Sequence, residues 1–227
     1  MDYSPLWISM KVALTATSVT FVLGLLAARF VLSLKKLRLF VDGIFSLPMV
    51  LPPTVVGFFL LILFGKNSAV GRFLMQMGIN VLFTWQGAAI AAAVVSFPIM
   101  YRTSLGAFEQ VDKNLIYAAR TLGMSEGTLF FKVLLPSSLP GIAAATILAF
   151  ARALGEFGAT IMLAGNIPKR TQTMSVAVYT AMQSGNRALA YRWVTVIMTI
   201  SFLTIVLMNY CLSRQTRMSM REGGNGF

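Results

Sequence analysis

Long apolar runs separated by short polar segments dominate the sequence. A helix needs about 20 mostly apolar residues to cross a hydrocarbon core of roughly 30 Å. The pattern predicts five membrane-spanning helices, at residues 12–34, 44–64, 85–101, 137–165 and 193–213. The segments 65–84 and 166–192 are each candidates for a sixth helical segment. We therefore predict an all-α, polytopic membrane protein with five or six transmembrane helices in a single domain, residues 1–227.

The composition agrees with a membrane-embedded chain. Hydrophobic residues make up 57% of the 227 residues, charged residues make up 11%, and the mean hydropathy is +0.76. Too few polar residues remain to cover a soluble globule of this size. The single cysteine and the absence of histidine argue against an internal disulfide, a metal site or a histidine proton relay. We expect this chain to bind no metal and no cofactor.

The net charge of +12 is spread between the apolar runs. This spacing favours a role in membrane topology over nucleic-acid binding, because cytoplasmic segments of membrane proteins collect Lys and Arg. With the N-terminus outside and the C-terminus in the cytoplasm, the cytoplasmic side holds eleven such residues and the outer side holds seven. The cytoplasmic eleven are Arg29, Lys35, Lys36, Arg38, Arg102, Lys113, Arg120, Lys132, Arg214, Arg217 and Arg221.

Four prolines fall inside the second and third runs. Each removes a backbone donor and kinks a helix unless its neighbours compensate. Kinked spans form gates in some transporters and are static in others, so both roles stay open here. These prolines are Pro48, Pro52, Pro53 and Pro98.

The cytoplasmic segment 102–136 contains the pattern of a helix, a tight turn and a second helix. Ala118 and Ala119 suit a short helix, and Gly123 supplies a left-handed turn that stops it. Ser125 is placed to cap the next helix, which runs into Pro136. Small residues at 118 and 119 permit close approach of another surface. The alternative is an ordinary loop lying on the membrane.

These residues carry a family resemblance. Ala118-Ala119, then Gly123, then Leu135-Pro136 at their spacing resemble the EAA loop of ABC importer permeases, the coupling helix that docks on the ATPase subunit. Tyr117 stands where that family has Glu. The resemblance implies a MetI-like permease fold with a coupling surface at Tyr117, Ala118, Ala119, Gly123, Leu135 and Pro136.

The sequence offers no energy source of its own. It lacks the G-x-x-x-x-G-K-[ST] phosphate loop, and only Glu156 among the acidic residues lies well inside a predicted span. One buried acid is a poor basis for a proton or sodium carrier. We therefore expect a non-enzymatic transport subunit whose partner ATPase binds ATP and Mg²⁺. A partner-independent channel is the hypothesis from a different class.

Arg152 and Glu156 place opposite charges four residues apart, within the fourth run. Because a lone charge at the bilayer centre costs at least about 2.5 kcal/mol, both should face the bundle interior or a polar cavity. A translocation pathway or gate is one interpretation, and a structural ion pair is the other. The candidate pathway residues are Arg152, Gly155, Glu156, Gly158 and Thr160.

The stretch from Arg152 to Thr173 is similar to molybdate permeases, and the similarity extends over residues 8–213. Such a family implies a homodimer in a prokaryotic inner membrane, with two ATPase subunits and an external binding protein that delivers molybdate or tungstate. Sulfate, thiosulfate or another oxyanion is the alternative substrate. The implied outer-loop residues are Asn166, Pro168, Lys169, Arg170, Thr171 and Thr173.

The outer segment 166–192 is positively charged and contains an apolar stripe at helical spacing. The stripe is typical of packing in a short interfacial helix. The positive charge has three interpretations: it concentrates an oxyanion, it binds acidic residues of a delivery protein, or it is a solvated rim. The stripe is Met174, Val178, Ala181 and Met182, and the cations are Lys169, Arg170, Arg187 and Arg192.

Overall fold

A computed structural model describes residues 2–34 and 36–223, with side chains described as far as residue 210. Lys35 and the side chains of Arg214, Arg217 and Arg221 lie outside the described residues. Every regular element in the described part of the chain is a helix. The helices are α1 (Ser4–Ser33), α2 (Arg38–Val50), α3 (Pro53–Phe64), α4 (Ala69–Gln76), α5 (Trp85–Glu109), α6 (Lys113–Thr121), α7 (Glu126–Leu129), α8 (Leu135–Leu154), α9 (Gly158–Ala164), α10 (Met174–Gln183) and α11 (Arg187–Gly223).

Four helices are long and apolar enough to cross a membrane. They are α1, α5, the continuous helix Glu126–Leu154 and the part of α11 at Arg187–Tyr210. A fifth span results if the bent pair α2 and α3 counts as one crossing. The predicted all-α, polytopic fold is confirmed, and the described residues contain four or five spans.

The second predicted span, residues 44–64, is two helices that meet at 107°. Leu51 and Pro52 are extended between them, with ψ of 141° and 134°. A proline disfavours the helical conformation of the residue before it, and Pro52 and Pro53 both lack a backbone N–H. The pair of adjacent prolines therefore breaks the span. The isolated prolines lie inside continuous helices, at Pro48 in α2 and Pro98 in α5.

The helices on both sides of the predicted cytoplasmic segment 102–136 extend into it. α5 continues to Glu109 because Leu105 and Phe108 are buried in the core and extend its packing surface. The fourth span already begins at Glu126. A π-helical turn at residues 130–134 lies just before Pro136, which lacks the N–H that an unbroken α-helix would use, so the helix continues through this proline.

The central helix of the bundle is α5, which packs against α1, α8, α9 and α2. In the most apolar stretch of α5, 61% of the residues are buried, whereas in that of α11 only 6% are. Small side chains allow this close packing: a Cβ added at Gly24 of α1 would lie 2.7 Å from Cγ of Met100. The apolar surface of α11 must therefore be covered by lipid or by another subunit.

Candidate coupling surface and translocation pathway

The exposed surface of α6 and of Leu122, the residue that follows it, carries large apolar side chains among its polar ones. Leu115, Tyr117 and Leu122 are 50%, 58% and 77% exposed, and Ala118 between them is exposed as well. Ala119 is only 5% exposed and packs in the core beneath α6. A helix facing water would carry polar side chains on its outer face. The arrangement therefore indicates a surface that another molecule covers.

The turn after α6 has a defined geometry. Gly123 has a φ of +75°, and its N–H donates to the carbonyl of Arg120 at 2.9 Å. Ser125 then caps α7 by accepting a hydrogen bond from the N–H of Thr128 at 3.3 Å. Arg120 is paired with Glu126 across the turn at 2.8 Å, and this hydrogen bond raises the pKa of Arg120. The expected helix, tight turn and helix are present, and an exposed ion pair bridges the turn.

The predicted coupling residues are divided between two helices. Tyr117 and Ala118 lie on the exposed face of α6, whereas Ala119 faces the core. Leu135 packs against the core cluster at the start of α8, and Pro136 is exposed beside it. The exposed surface is thus formed by α6 itself, and Leu135 has a packing role within the chain.

The fourth predicted span, residues 137–165, is broken after Leu154. α8 ends there, Gly155 follows as its cap, and α9 begins at Gly158. The carboxylate of Glu156 accepts the N–H of Ala159 at 2.8 Å, in place of the backbone carbonyl that a continuous helix would use. The prediction of one helix over residues 137–165 is therefore wrong: Arg152 lies in α8, and Glu156 lies in the linker before α9.

Arg152 and Glu156 form an ion pair across this break, with Nη1 2.7 Å from Oε2. The Glu156 side chain is 2% exposed and the Arg152 side chain is 31% exposed. Arg152 lies in the last turn of α8 and Glu156 precedes α9, so each charge opposes the partial charge at its helix end. The carboxylate is satisfied within the chain, while the Arg152 side chain stays partly exposed.

The short helix α9 packs closely against α3. A Cβ on Gly158 would lie 3.1 Å from Cβ of Pro53, and a Cβ on Gly57 would lie 2.8 Å from Cα of Ala159. Thr160 of α9 is fully buried, and its hydroxyl has no hydrogen-bond partner among the described residues. Thr160 therefore does not face an open pathway in this conformation.

The outer segment after α9 is held by side-chain hydrogen bonds. Asn166 donates to the hydroxyl of Thr180 at 2.9 Å and accepts from the amide of Gln172 at 3.0 Å. The buried hydroxyl of Thr171 accepts the N–H of Ile167 at 3.0 Å. The segment is thus an ordered structure. Its other predicted residues differ in exposure, with Thr173 buried and Pro168, Lys169 and Arg170 exposed.

An open cavity of about 480 Å³ lies beside this segment. Lys11, Lys169 and Arg170 line it, and no acidic side chain of the described residues does so. The ammonium of Lys11 lies 3.6 Å above the ring of Trp85. Asp2 lies close by, and hydrogen bonds from Ser4 and the charge of Lys169 lower its pKa. The cavity is strongly basic, as an anion-attracting surface must be.

The candidate helical segment within residues 166–192 is α10. Met174 and Ala181 of the predicted stripe are buried, and Met182 is 55% exposed. Arg187 and Arg192, which we assigned to the same loop, lie on α11. They do not line the basic cavity. The positive charge of the outer segment is therefore concentrated at its first half.

A polar cluster between α2 and α5 was missed from the sequence. Asp42 accepts hydrogen bonds from the hydroxyl of Tyr101 and the guanidinium of Arg102, both at 2.9 Å. The Arg102 Nε also donates to Ser46 at 2.7 Å. An acidic residue next to an apolar run, such as Asp42, indicates a polar contact within the bundle. Nothing in the sequence identifies the partners of Asp42. These hydrogen bonds join α2, the first helix of the bent pair, to the central helix α5.

Comparison with known sequences finds one family. The model described as "binding-protein-dependent transport system inner membrane component" matches residues 20–218. The putative molybdenum transport system permease protein YvgM of Bacillus subtilis (strain 168) is 42% identical over 210 residues, 89% of this chain and 90% of that protein. ModB, the molybdenum transport system permease protein of Escherichia coli (strain K12), is 44% identical over 178 residues, 78% of this chain and 77% of its own length. The sulfate transport system permease protein CysT of Salmonella typhimurium (strain LT2) is 37% identical over 177 residues, 78% of this chain and 64% of CysT.

Solved structures agree on the fold. A chain of the MetNI methionine ABC transporter in an inward-facing form aligns with a TM-score of 0.75 at 17% identity, covering 92% of this chain and 94% of that one. A chain of a bacterial alginate ABC transporter, solved in complex with an alginate-bound periplasmic protein, aligns with a TM-score of 0.71 at 16% identity, covering 95% and 78%. Family model, relatives and fold together show that this chain belongs to the binding-protein-dependent transport system inner membrane components and is a multi-pass permease of that family.

Proposed function

We propose that this chain is the permease subunit of an ABC importer that carries molybdate across the inner membrane. The observation that carries the proposal is the 42% identity over 89% of the chain to a relative named as a molybdenum transport permease, joined by 44% identity to ModB. Tungstate has the same charge and the same tetrahedral shape as molybdate. We expect the importer to carry both.

The working importer would contain two copies of this chain, two cytoplasmic ATPase subunits and an extracytoplasmic binding protein. The exposed apolar face of α6 supports docking on an ATPase, because such a surface is stable only when a partner covers it. ATP and Mg²⁺ would bind in that partner, so this chain needs neither a cofactor nor an enzymatic activity. The mostly unburied apolar surface of α11 supports contact with lipid or a second copy.

The proposed orientation places α6 in the cytoplasm and the N-terminus outside. Arg29 near the end of α1, Arg38 at the start of α2 and Lys113 at the start of α6 line one cavity and so lie at one end of the bundle. Their clustering supports a cytoplasmic position for this end. The basic cavity near Lys11 and Trp85 would then face outward, where a delivered oxyanion enters.

The helix break after Leu154 supports a place for Arg152 on the pathway. Broken helices at membrane depth are typical of transporters, in which irregular backbone lines a cavity. The guanidinium of Arg152 keeps accessible donors for an oxyanion, while Glu156 holds it in position. Gly155 and Gly158 flank the break, and Thr160 would become accessible only if α9 moved away from the helices that it packs against, α3 and α5.

Sulfate is the second candidate substrate, favoured by the 37% identity to CysT. A competition series separates the two. Membrane vesicles containing the complete importer and its binding protein would take up labelled molybdate in the presence of unlabelled molybdate, tungstate or sulfate. We expect molybdate and tungstate to compete at similar concentrations and sulfate only in large excess. Equal competition by sulfate would assign the importer to sulfate or to oxyanions in general.

A further inference from the structure

A second basic cavity, of about 700 Å³, opens where α1 ends. It lies between α1, the first residue of α2, the end of α5, and α6 with the π-helical turn. Four cations and two carboxylates line it, which leaves an excess of positive charge. The charged residues are Arg29, Arg38, Lys113, Arg120, Glu109 and Glu126.

Two of these cations have no carboxylate partner among the described residues. Arg38 is paired with Glu109, and Arg120 is paired with Glu126, so both carboxylates are already neutralised. Arg29 instead stacks on aromatic rings, with its guanidinium carbon 4.3 Å from the centre of Phe130. Stacking removes water from one face of the guanidinium and leaves its N–H donors for an anion.

An exposed apolar stripe on α1 leads to this cavity. Leu23, Leu26 and Phe30 are 51%, 58% and 51% exposed, and their spacing places them on one face of the helix. Ser33, three residues beyond Phe30 on the same face, lines the cavity. The stripe belongs to a helix that crosses the membrane, so acyl chains lying along it would end at the cations. A soluble anion would gain nothing from the stripe.

We propose that this cavity binds the phosphate headgroup of an anionic phospholipid, whose acyl chains lie along the stripe on α1. Arg29 and Lys113 supply the charge-assisted hydrogen bonds, as basic cavities between spans do for acidic headgroups at the membrane surface. Because Lys113 is the first residue of α6, the lipid joins the end of α1 to the proposed coupling helix. The site requires neither a particular substrate nor a particular orientation of the chain.

Native mass spectrometry of the full chain in neutral detergent tests this site. The probes are phosphatidylglycerol, phosphatidylcholine and inorganic phosphate. We expect retention of phosphatidylglycerol over phosphatidylcholine, and a loss of affinity of roughly thirtyfold in Arg29→Gln/Lys113→Gln, about fivefold for each charge removed. The charge-preserving Arg29→Lys/Lys113→Arg should retain the lipid. As a matched control, Lys66→Gln/Arg72→Gln removes two exposed cations near α4, at the other end of the bundle, and should change nothing.

Three results would overturn the proposal. One is unchanged phosphatidylglycerol binding in Arg29→Gln/Lys113→Gln. Another is displacement of the lipid by an equal concentration of inorganic phosphate, which would assign the cavity to a soluble anion. The third is that Arg29→Gln/Lys113→Gln still retains the lipid but no longer copurifies with the ATPase. This result would assign the cavity to a protein interface.

Discussion

Nη1 of Arg152 lies 2.7 Å from Oε2 of Glu156, and this ion pair joins the end of α8 to the start of α9. The other carboxylate oxygen of Glu156 caps α9 through the N–H of Ala159. Both carboxylate oxygens of Glu156 are therefore used within the break, whereas the Arg152 side chain is partly exposed. Arg152 has either a structural role or a role in transport. The two roles predict different uptake by a variant in which Arg152 is removed and Glu156 is made neutral.

Arg152→Ala should destabilise the protein by up to about 3 kcal/mol, because it leaves a buried carboxylate without its partner. Arg152→Ala/Glu156→Gln should recover most of that loss, since the amide oxygen of glutamine can still accept the N–H of Ala159. Thermal unfolding of the purified variants measures both effects.

Uptake by the same variants separates the two roles. If Arg152 contributes to the pathway, the double variant regains stability and still fails to transport, while its assembly with the ATPase survives. Arg152→Lys, which keeps the charge, should retain part of the activity. Recovery of uptake together with stability in the double variant would show that Arg152 has only a structural role.

Leu122→Ser on α6 should weaken association with the ATPase by about tenfold or more, because burying a leucine contributes about 1.5–3 kcal/mol. Stability of the chain itself should not change, since Leu122 is 77% exposed. Met77→Ser is the matched control, with an apolar side chain 60% exposed at the C-terminal end of α4. Quantitative copurification with the ATPase provides the measurement.

Tyr117→Glu extends this prediction. It places a carboxylate where the resembling permeases have one, on an exposed position of α6, and should leave ATPase association intact. Unaltered association in Leu122→Ser would mean that α6 does not form the coupling surface.

Gly57→Ala should destabilise the chain by about 1–3 kcal/mol, because the new Cβ would lie 2.8 Å from Cα of Ala159 and from Cβ of Met162. Gly43→Ala in α2 is the control, since a Cβ there meets nothing within 4 Å and alanine favours a helix over glycine. Gly57→Ala should unfold at a lower temperature than the parent. Gly43→Ala should unfold at the same temperature as the parent or at a higher one. Equal stability of all three would exclude the close contact between α3 and α9.

Lys169→Gln/Arg170→Gln should lower uptake at limiting molybdate and change it little at saturation, because the lost charge reduces the local oxyanion concentration. The difference from the parent should shrink as ionic strength rises, since salt screens exposed charges. Initial uptake rates over a range of molybdate and salt concentrations test this. Lys66→Gln, at an exposed position outside the cavity, should behave as the parent. A defect that persists at high salt and at saturating molybdate would argue against concentration of the anion.

Apolar run length predicted the main helices well and their ends poorly. The first span was expected from residue 12, but α1 begins at Ser4, with a proline in its first turn, and includes Lys11, which stacks on Trp85. α11 likewise begins at Arg187, with polar residues extending the helix beyond its apolar part. The prediction placed the helix boundary at the charged residue that ends an apolar run. In the structure the helix continues past that residue.

Local relationships in the candidate site were predictable, and distant ones were not. The pairing of Arg152 with Glu156 follows from four-residue spacing, but that spacing fits an unbroken helix as well as the observed break. The contacts of Asp42 with Tyr101 and of Arg29 with Phe130 join positions far apart in the chain. No periodicity within one helix encodes such contacts, because they depend on how the helices pack.

ATP-driven accumulation of labelled molybdate tests the proposed importer most directly. Vesicles would contain this chain with or without its ATPase partner, with ATP on the ATPase side and the binding protein on the other. We predict accumulation above the external concentration only when the ATPase and ATP are both present, and its loss in Leu122→Ser. Molybdate entry that merely equilibrates, at the same rate without the ATPase or ATP, would contradict the importer and indicate a partner-independent channel.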